Sequence, residues 1–322
     1  MLPRTTARFS QESDFRRQRD FGQKFSAAFE FIGAHWRGLG QALLFIVLPA
    51  AILQGIVMAI LQKKFFTEAL HVSGTGVSKL RQLAMFNELY QSPFYWVNVA
   101  VSGVFVMLLV LTVYGYVKCC LRPTPSPEPI AVGQVWGVVK EEFIGSYLSY
   151  FGLLVLVLIG FVFLAIPGIY LSVAFSLFYI IKLVEGTGFG DTCSRCLRLV
   201  RGQWWSTFGL MMVMTMMLGI VAAIVGSLAT GLVFLVGKQL GSLQSGESAG
   251  ATLGLFTVVT SALGGLLNLL IYPPLLLALA FQYFNLVERR DGVGLRQMVS
   301  QLGQAPAAVH NTDYRPDDEG EY

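Results

Sequence analysis

IGSYLSYFGLLVLVLIGFVFLAIPGIYLSVAFSLFYIIKLV, residues Ile144 to Val184, carries no charged side chain before Lys182. A helix needs roughly 20 apolar residues to cross the hydrocarbon core of a bilayer. The stretch is therefore long enough for two crossings, and Pro167 with Gly168 supplies the break between them, because proline removes a backbone donor and glycine tolerates the turn.

The rest of the chain repeats the pattern. Of its 322 residues 54% are hydrophobic and only 13% charged, with a mean hydropathy of +0.62, against roughly 25% charged in a soluble domain. Further apolar runs cover Leu39 to Leu61, Tyr95 to Val117 and about Phe208 to Val236, and a last run from near Leu253 passes Tyr272, Pro273 and Pro274 to Val287. That last run is too long for one straight crossing and too short for two, so it reads as a kinked helix running into water. The expected fold is an all-α polytopic membrane bundle of about six transmembrane helices, spanning residues 15–300.

Charge orients the bundle. If the N-terminus is cytoplasmic, all of the 23 Lys and Arg except Lys63, Lys64, Lys79, Arg81 and Lys238 fall on the cytoplasmic side. The positive-inside rule then places both termini inside, as an even number of spans requires. The polar first 38 residues show no signal peptide, so the first span serves as the insertion signal. Net charge of +4 belongs to that face, where anionic lipid headgroups are its expected partner and nucleic acid is not. The expected location is the cytoplasmic membrane.

Between the spans, RDFGQKFSAAFEFIGAHW begins with Asp20 and Gln23 at capping-box spacing. Phe21, Phe25, Phe29, Ile32 and Trp36 then form one apolar stripe, which predicts an interfacial helix over 20–37 lying greasy side down. Similar surface helices are expected near 132–143 and 191–202, and an outer loop over 62–94, within which Leu80 to Tyr90 has helical spacing. Residues 1–14 and the acidic tail 301–322 read as disordered.

At a shift of 168 residues, FGQKFSAAFEFIGAHW lies over FGDTCSRCLRLVRGQW and pairs Phe21 with Phe189, Gly22 with Gly190 and Trp36 with Trp204; VGQVWGVVKEEFIGSY from Val132 aligns more weakly. The chain thus parses as three repeats of a surface helix followed by a helical hairpin.

EGTGFGDTCSRCLRLVRGQWW, Glu185 to Trp205, superimposes several site motifs. Its glycine turn lacks the Lys-Ser or GxGxxG context of a nucleotide loop. With Asp191 as N-cap and Gly202 as stop, Cys193 and Cys196 share the apolar face with Leu197, Val200 and Trp204, while Arg195, Arg198 and Arg201 face water. The cysteines occupy packing positions. A four-thiolate zinc site with Cys119 and Cys120 would demand tetrahedral geometry that adjacent cysteines seldom give, so no metal or other cofactor is expected.

Ionisable groups near a membrane are functional candidates by default. Lys182 and Glu185, one turn apart, are expected to pair at i,i+3. Gln54, Asn98, Asn268 and Gln282 are the strongly polar groups within the spans, able to line a cavity or to bond between helices. Gly219, Ala223, Ser227 and Gly231 recur every fourth residue in span five and would let a neighbouring helix approach closely. The histidines His35, His71 and His310 are scattered, and no nucleophile-base pair is visible.

FGQKFSAAFEF, AIPGIYLSVAFSLFYIIKLVEGTG, SRCLRLVRGQWW and FQYFNLVERRDGVGL together resemble the bacterial six-span proteins grouped with the membrane domain of glycerophosphoryl diester phosphodiesterases and with the YciC-like membrane proteins. The resemblance implies the six-span fold. It implies no catalysis, since phosphodiester chemistry in that group belongs to a separate soluble barrel that this chain lacks, and it offers no site residues to carry over. The residues leave two functions open: a non-catalytic protein that scaffolds or assists other membrane components, or a transporter or permease component with a polar mid-membrane cavity.

Overall fold

A computed structural model describes residues 9, 12–72, 87–88, 90–121, 130–241, 248–294 and 296. The described residues are 91% helical, with no strand among them. Its helices are α1 (Glu12–Phe15), α2 (Phe21–Ala42), α3 (Leu48–Val72), α4 (Pro93–Cys120), α5 (Val132–Phe163), α6 (Ala165–Phe175), α7 (Phe178–Glu185), α8 (Phe189–Val200), α9 (Trp204–Gly241) and α10 (Ser248–Asp291). Six segments are long and apolar enough to cross a membrane: Phe21–Gln62, Pro93–Cys120, Val132–Phe163, Ala165–Glu185, Trp204–Leu228 and Leu263–Asp291. The molecule is an all-α, multi-pass membrane bundle.

The segments neighbour one another in the order α9, α10, α3, α4, α5, α6, with α7 set against α4 and α8. Glycines allow close approach at two helix contacts. A Cβ at Gly265 of α10 would lie 3.0 Å from the carbonyl of Ala51 on α3, and a Cβ at Gly38 of α2 would lie 2.5 Å from the Tyr116 hydroxyl on α4.

The bundle has two unlike ends. At one, every residue of Leu109–Val117 and of Leu277–Glu288 is buried, and Phe9, Phe15, Phe31, Phe281 and Phe284 pack as a ring cluster, Phe15 stacked on Phe281 at 6.0 Å. Away from it the flanks are bare: Ile144 is 78% and Val162 84% exposed on α5, and Leu228 is 69% exposed on α9. Apolar surface on that scale is stable only against lipid or another protein.

Several expectations change in detail. The segment from Phe21 is set off from the first span by a kink at His35 (φ −116°, ψ 17°) and runs on into α3 through a π-turn over Leu43–Val47, whereas 132–143 is continuous with the span as the start of α5. Such a π-turn or irregular residue is the usual cause of a helix bend. The stripe of Phe21, Phe29 and Trp36 is exposed, as expected, but the opposite face of Lys24, Ala28 and Phe31 is buried, so α2 is covered on its second side by α10. The expected capping interaction is present, the Asp20 amide donating to Gln23 Oε1 at 3.2 Å.

Residues 1–14 are not uniformly disordered, since Glu12 to Asp14 open α1 and Phe9 is buried. Residues 1–8, 10 and 11, most of the loop 62–94 and the whole tail 301–322 lie outside the described residues; within that loop, helix α3 continues to Val72.

The break in the hairpin falls at Leu164, whose backbone is extended (φ −169°, ψ 149°), so that Pro167 sits in the first turn of α6, where its missing donor is harmless. Gly160 and Gly168 face each other across this turn: a Cβ at Gly168 would fall 2.5 Å from the Phe161 ring, and one at Gly160 would fall 3.1 Å from the Cα of Gly168. A second break, at Ser176–Leu177, divides the same span into α6 and α7. Span six is one uninterrupted helix through Pro273 and Pro274, and its last turns are enclosed by protein instead of running into water. Gly219, Ala223, Ser227 and Gly231 are exposed on α9, so no helix among the described residues uses that stripe.

Gly168→Val is expected to lower the apparent unfolding temperature of the detergent-purified protein, because overpacking costs about 1–3 kcal/mol, whereas Gly219→Ala, with nothing within 4 Å of its added Cβ, should leave it unchanged. Equal effects would contradict the tight turn.

Candidate functional site

The polar groups gather at the enclosed end, and Arg195 is their centre. Glu185 closes α7, and Gly186 (φ 65°) accepts the left-handed conformation that lets its amide cap the Lys182 carbonyl at 3.0 Å, a geometry suited to glycine. Gly188 then caps α8 in extended conformation, while Thr192 Oγ1 donates to the Gly188 carbonyl at 2.6 Å. The helix therefore starts two residues ahead of the expected N-cap, Asp191, which lies in its first turn. Gly202 (φ 84°) ends it as expected.

This turn folds α8 back so that Arg195 meets Glu185. Its Nε donates to both carboxylate oxygens, at 3.2 and 3.1 Å, and its Nη2 donates to Asp291 Oδ2 at the end of α10. The Tyr283 hydroxyl donates to Glu185 Oε1 at 3.0 Å. Burial works to lower the Arg195 pKa, but the hydrogen bonds to Asp291 and Glu185 outweigh it and the net shift is upward. One guanidinium thus joins α7, α8 and α10 with planar, charge-assisted bonds. Arg198 and Arg201 are exposed as expected; Arg195, only 20% exposed, is not.

Lys182 and Glu185 do not pair with each other. Lys182 Nζ donates to Glu142 Oε2 at 2.6 Å and to Ser146 Oγ at 3.1 Å on α5, with its side chain 11% exposed. An i,i+3 pair needs both side chains on one helix face, and here α5 draws one outward while α8 and α10 hold the other.

A second cluster ties the N-terminal segment to α10. The Arg19 amide donates to Asn285 Oδ1 at 2.8 Å, its guanidinium donates to the carbonyls of Phe15 and Asp14, and its Cζ lies 4.9 Å above the Phe281 ring. Burial, foremost, holds its pKa below the usual arginine value. Glu288, 8% exposed, accepts the Gly294 amide at 2.7 Å, and Arg290 donates to the Arg198 carbonyl. A cavity of about 450 Å³ opens beside this cluster, lined by Phe9, Asp14, Arg17, Arg19, Gln23 and Glu30 among others.

Of the polar residues inside the spans, Gln54 donates to Asn98 Oδ1 at 3.3 Å and to Ser102 Oγ at 2.7 Å, joining α3 to α4. Asn268 is exposed on α10 and does not meet them. Gln282 donates to Thr207 Oγ1 at 3.0 Å. Sequence reading missed Glu142, Asp291, Tyr283, Asn285 and Glu288. The last two had a local signal: with Gln282 they place a polar side chain at every third position of an otherwise apolar helix, a pattern that marks an inward face.

Cys193 and Cys196 are free thiols, Cys196 wholly buried, and burial pushes both thiol pKa values up. No three His, Cys, Asp or Glu among the described residues come together as a metal-ligand set. No family model, curated protein or solved structure matches the chain.

Arg195→Met is expected to destabilise the bundle by roughly 2 kcal/mol, less than the 3–5 of a fully buried pair because these side chains keep some exposure, read as a drop in apparent Tm. Arg201→Met should have no effect. Since the thiolate is the nucleophile, Cys196 should resist maleimide near neutral pH until denaturant is added, as followed by intact mass.

Proposed function

We propose that this chain is a non-catalytic, multi-pass protein of the bacterial inner membrane that scaffolds or assists other membrane components, with both termini cytoplasmic. One observation carries the reading: Gln54 with Asn98, Lys182 with Glu142 and Arg195 with Glu185 are engaged with one another between helices, while the broad apolar flanks of α5 and α9 are left uncovered by the described residues. A rigid charged end and bare membrane flanks suit a protein that holds partners in the bilayer. The resemblance to the glycerophosphodiesterase membrane domain and YciC-like proteins agrees with a membrane role without catalysis. Anionic headgroups are the partners of the exposed Arg198, Arg201, Arg289 and Arg290.

A second reading, a transporter or permease component, has its own observation in the break at Ser176–Leu177, since discontinuous spans form binding sites in many transporters.

Affinity purification from native membranes at endogenous expression is expected to recover recurrent membrane-protein partners, and exposed-flank substitutions such as Val162→Arg with Leu158→Arg should release them. Solute uptake by proteoliposomes of the pure chain, with no recurrent partner, would replace scaffolding by transport. For the orientation, a C-terminal fluorescent reporter that folds only in the cytoplasm should be active, and a periplasm-dependent phosphatase should not.

A further inference from the structure

Lys24 stands apart from the other cations of the enclosed end. Arg195, Lys182 and Arg16 each meet a carboxylate, and Arg19 meets two carbonyls. Lys24 is more deeply buried than any of them, at 3% exposure, yet no carboxylate among the described residues comes within ion-pair distance of it. Among the described residues its ammonium donates to Ser206 Oγ at 3.3 Å. An ammonium has three donors, and removing it from water costs several kcal/mol unless a counter-charge is close.

The surroundings of Lys24 are rich in hydrogen-bond donors. Ser206 stands in the first turn of α9, whose first intrahelical-type bond is that of the Thr207 amide to the Gln203 carbonyl at 3.2 Å. The amides of Trp204, Trp205 and Ser206 precede it and have no carbonyl four residues back within the helix. They lie at the positive end of the 38-residue α9, worth about half a unit charge. Arg289, exposed at the end of α10, adds to the positive potential at Lys24, and Asp20 opposes it. On the outer side, Trp205 is 77% and Phe21 43% exposed, an aromatic rim of the kind that sits at headgroup level.

We propose that Lys24, Ser206 and the first-turn amides of α9, with Arg289 at the mouth, bind a phosphate group, that of an anionic phospholipid whose acyl chains lie along the bare flank of α9. A phosphodiester is anionic, and its oxygens can accept from Lys24 and the helix amides together. The headgroup beyond the phosphate reaches the rim, where a glycerol hydroxyl can donate and a choline would meet Arg289 with like charge. The proposal rests on the enclosed end lying among headgroups, but not on scaffolding or on which side of the membrane that end occupies.

The test is binding of phosphatidylglycerol, phosphatidylcholine and inorganic phosphate to the detergent-purified full chain, by native mass spectrometry and by the shift in apparent Tm. Wild type should retain phosphatidylglycerol and gain Tm from it, with phosphatidylcholine at least several-fold weaker. Lys24→Met should bind phosphatidylglycerol at least tenfold more weakly while matching or exceeding wild-type Tm without lipid, because the uncompensated buried charge is gone. Arg289→Glu, at an exposed position, should weaken binding tenfold as well, and it carries the test alone if Lys24→Met does not fold. A Tm gain from inorganic phosphate equal to that from phosphatidylglycerol, and abolished in the variants, would keep the phosphate site but assign it to free phosphate. Wild-type affinity in both variants, or no binding of either ligand to wild type, overturns the proposal. Reporter fusions of the opposite orientation would reverse the topology and leave this result standing.

Discussion

Enclosing the last turns of α10 in protein is the constraint on which the rest of the bundle depends. From Leu277 to Glu288 no side chain reaches solvent or lipid, although Gln282, Tyr283, Asn285 and Glu288 are polar. A polar group removed from water without a partner costs about 1–3 kcal/mol, and a charged one more. Each neighbouring element therefore arrives with a partner: Thr207 from α9 for Gln282, Glu185 from α7 for Tyr283, the backbone of Arg19 for Asn285, and the Gly294 amide for Glu288. Apolar packing brings these helices together, but the hydrogen bonds select their rotation and register.

Arg195 extends that logic to the surface helix. Without the left-handed turn at Gly186, α8 would leave α7 in another direction and its arginines would all face water, as helical periodicity alone predicts. With it, one arginine is drawn inward to close two carboxylates from different helices, and the cysteines beneath it become filler against the core. The contrast with Lys182 is instructive. Both cations of this region are paired across the bundle, not along their own helix, since packed neighbours offer drier and better-aligned partners than an exposed i,i+3 contact.

The opposite end of the molecule follows a different rule. There the hairpin of α5 and α6 is held by the glycine contact at Gly160 and Gly168, with bare apolar surface on its far side. Lipid is as apolar as leucine, so membrane helices associate through close packing and hydrogen bonds more than through hydrophobic exclusion. The Gln54, Asn98 and Ser102 contact between α3 and α4 supplies such a bond, and the glycine of α10 against Ala51 supplies such packing.

The amino-acid sequence by itself determined the class, the number and order of the six spans, the Asp20 start of α2, the Gly202 stop and the packing role of Cys196, because apolar length, capping chemistry and helical period are local properties. It did not determine where the hairpin breaks, since Leu164 is opened by the meeting of two glycines. Nor did it reveal the partners of Lys182 and Arg195, which lie 40 and 96 residues away in the chain. The burial of Lys24 was equally out of reach, because its own helix shows an apolar stripe on one face and gives no sign that α9 and α10 cover the other. Those features belong to the tertiary structure: a side chain's partner is fixed by which helices share a layer, and that is decided by packing around α10.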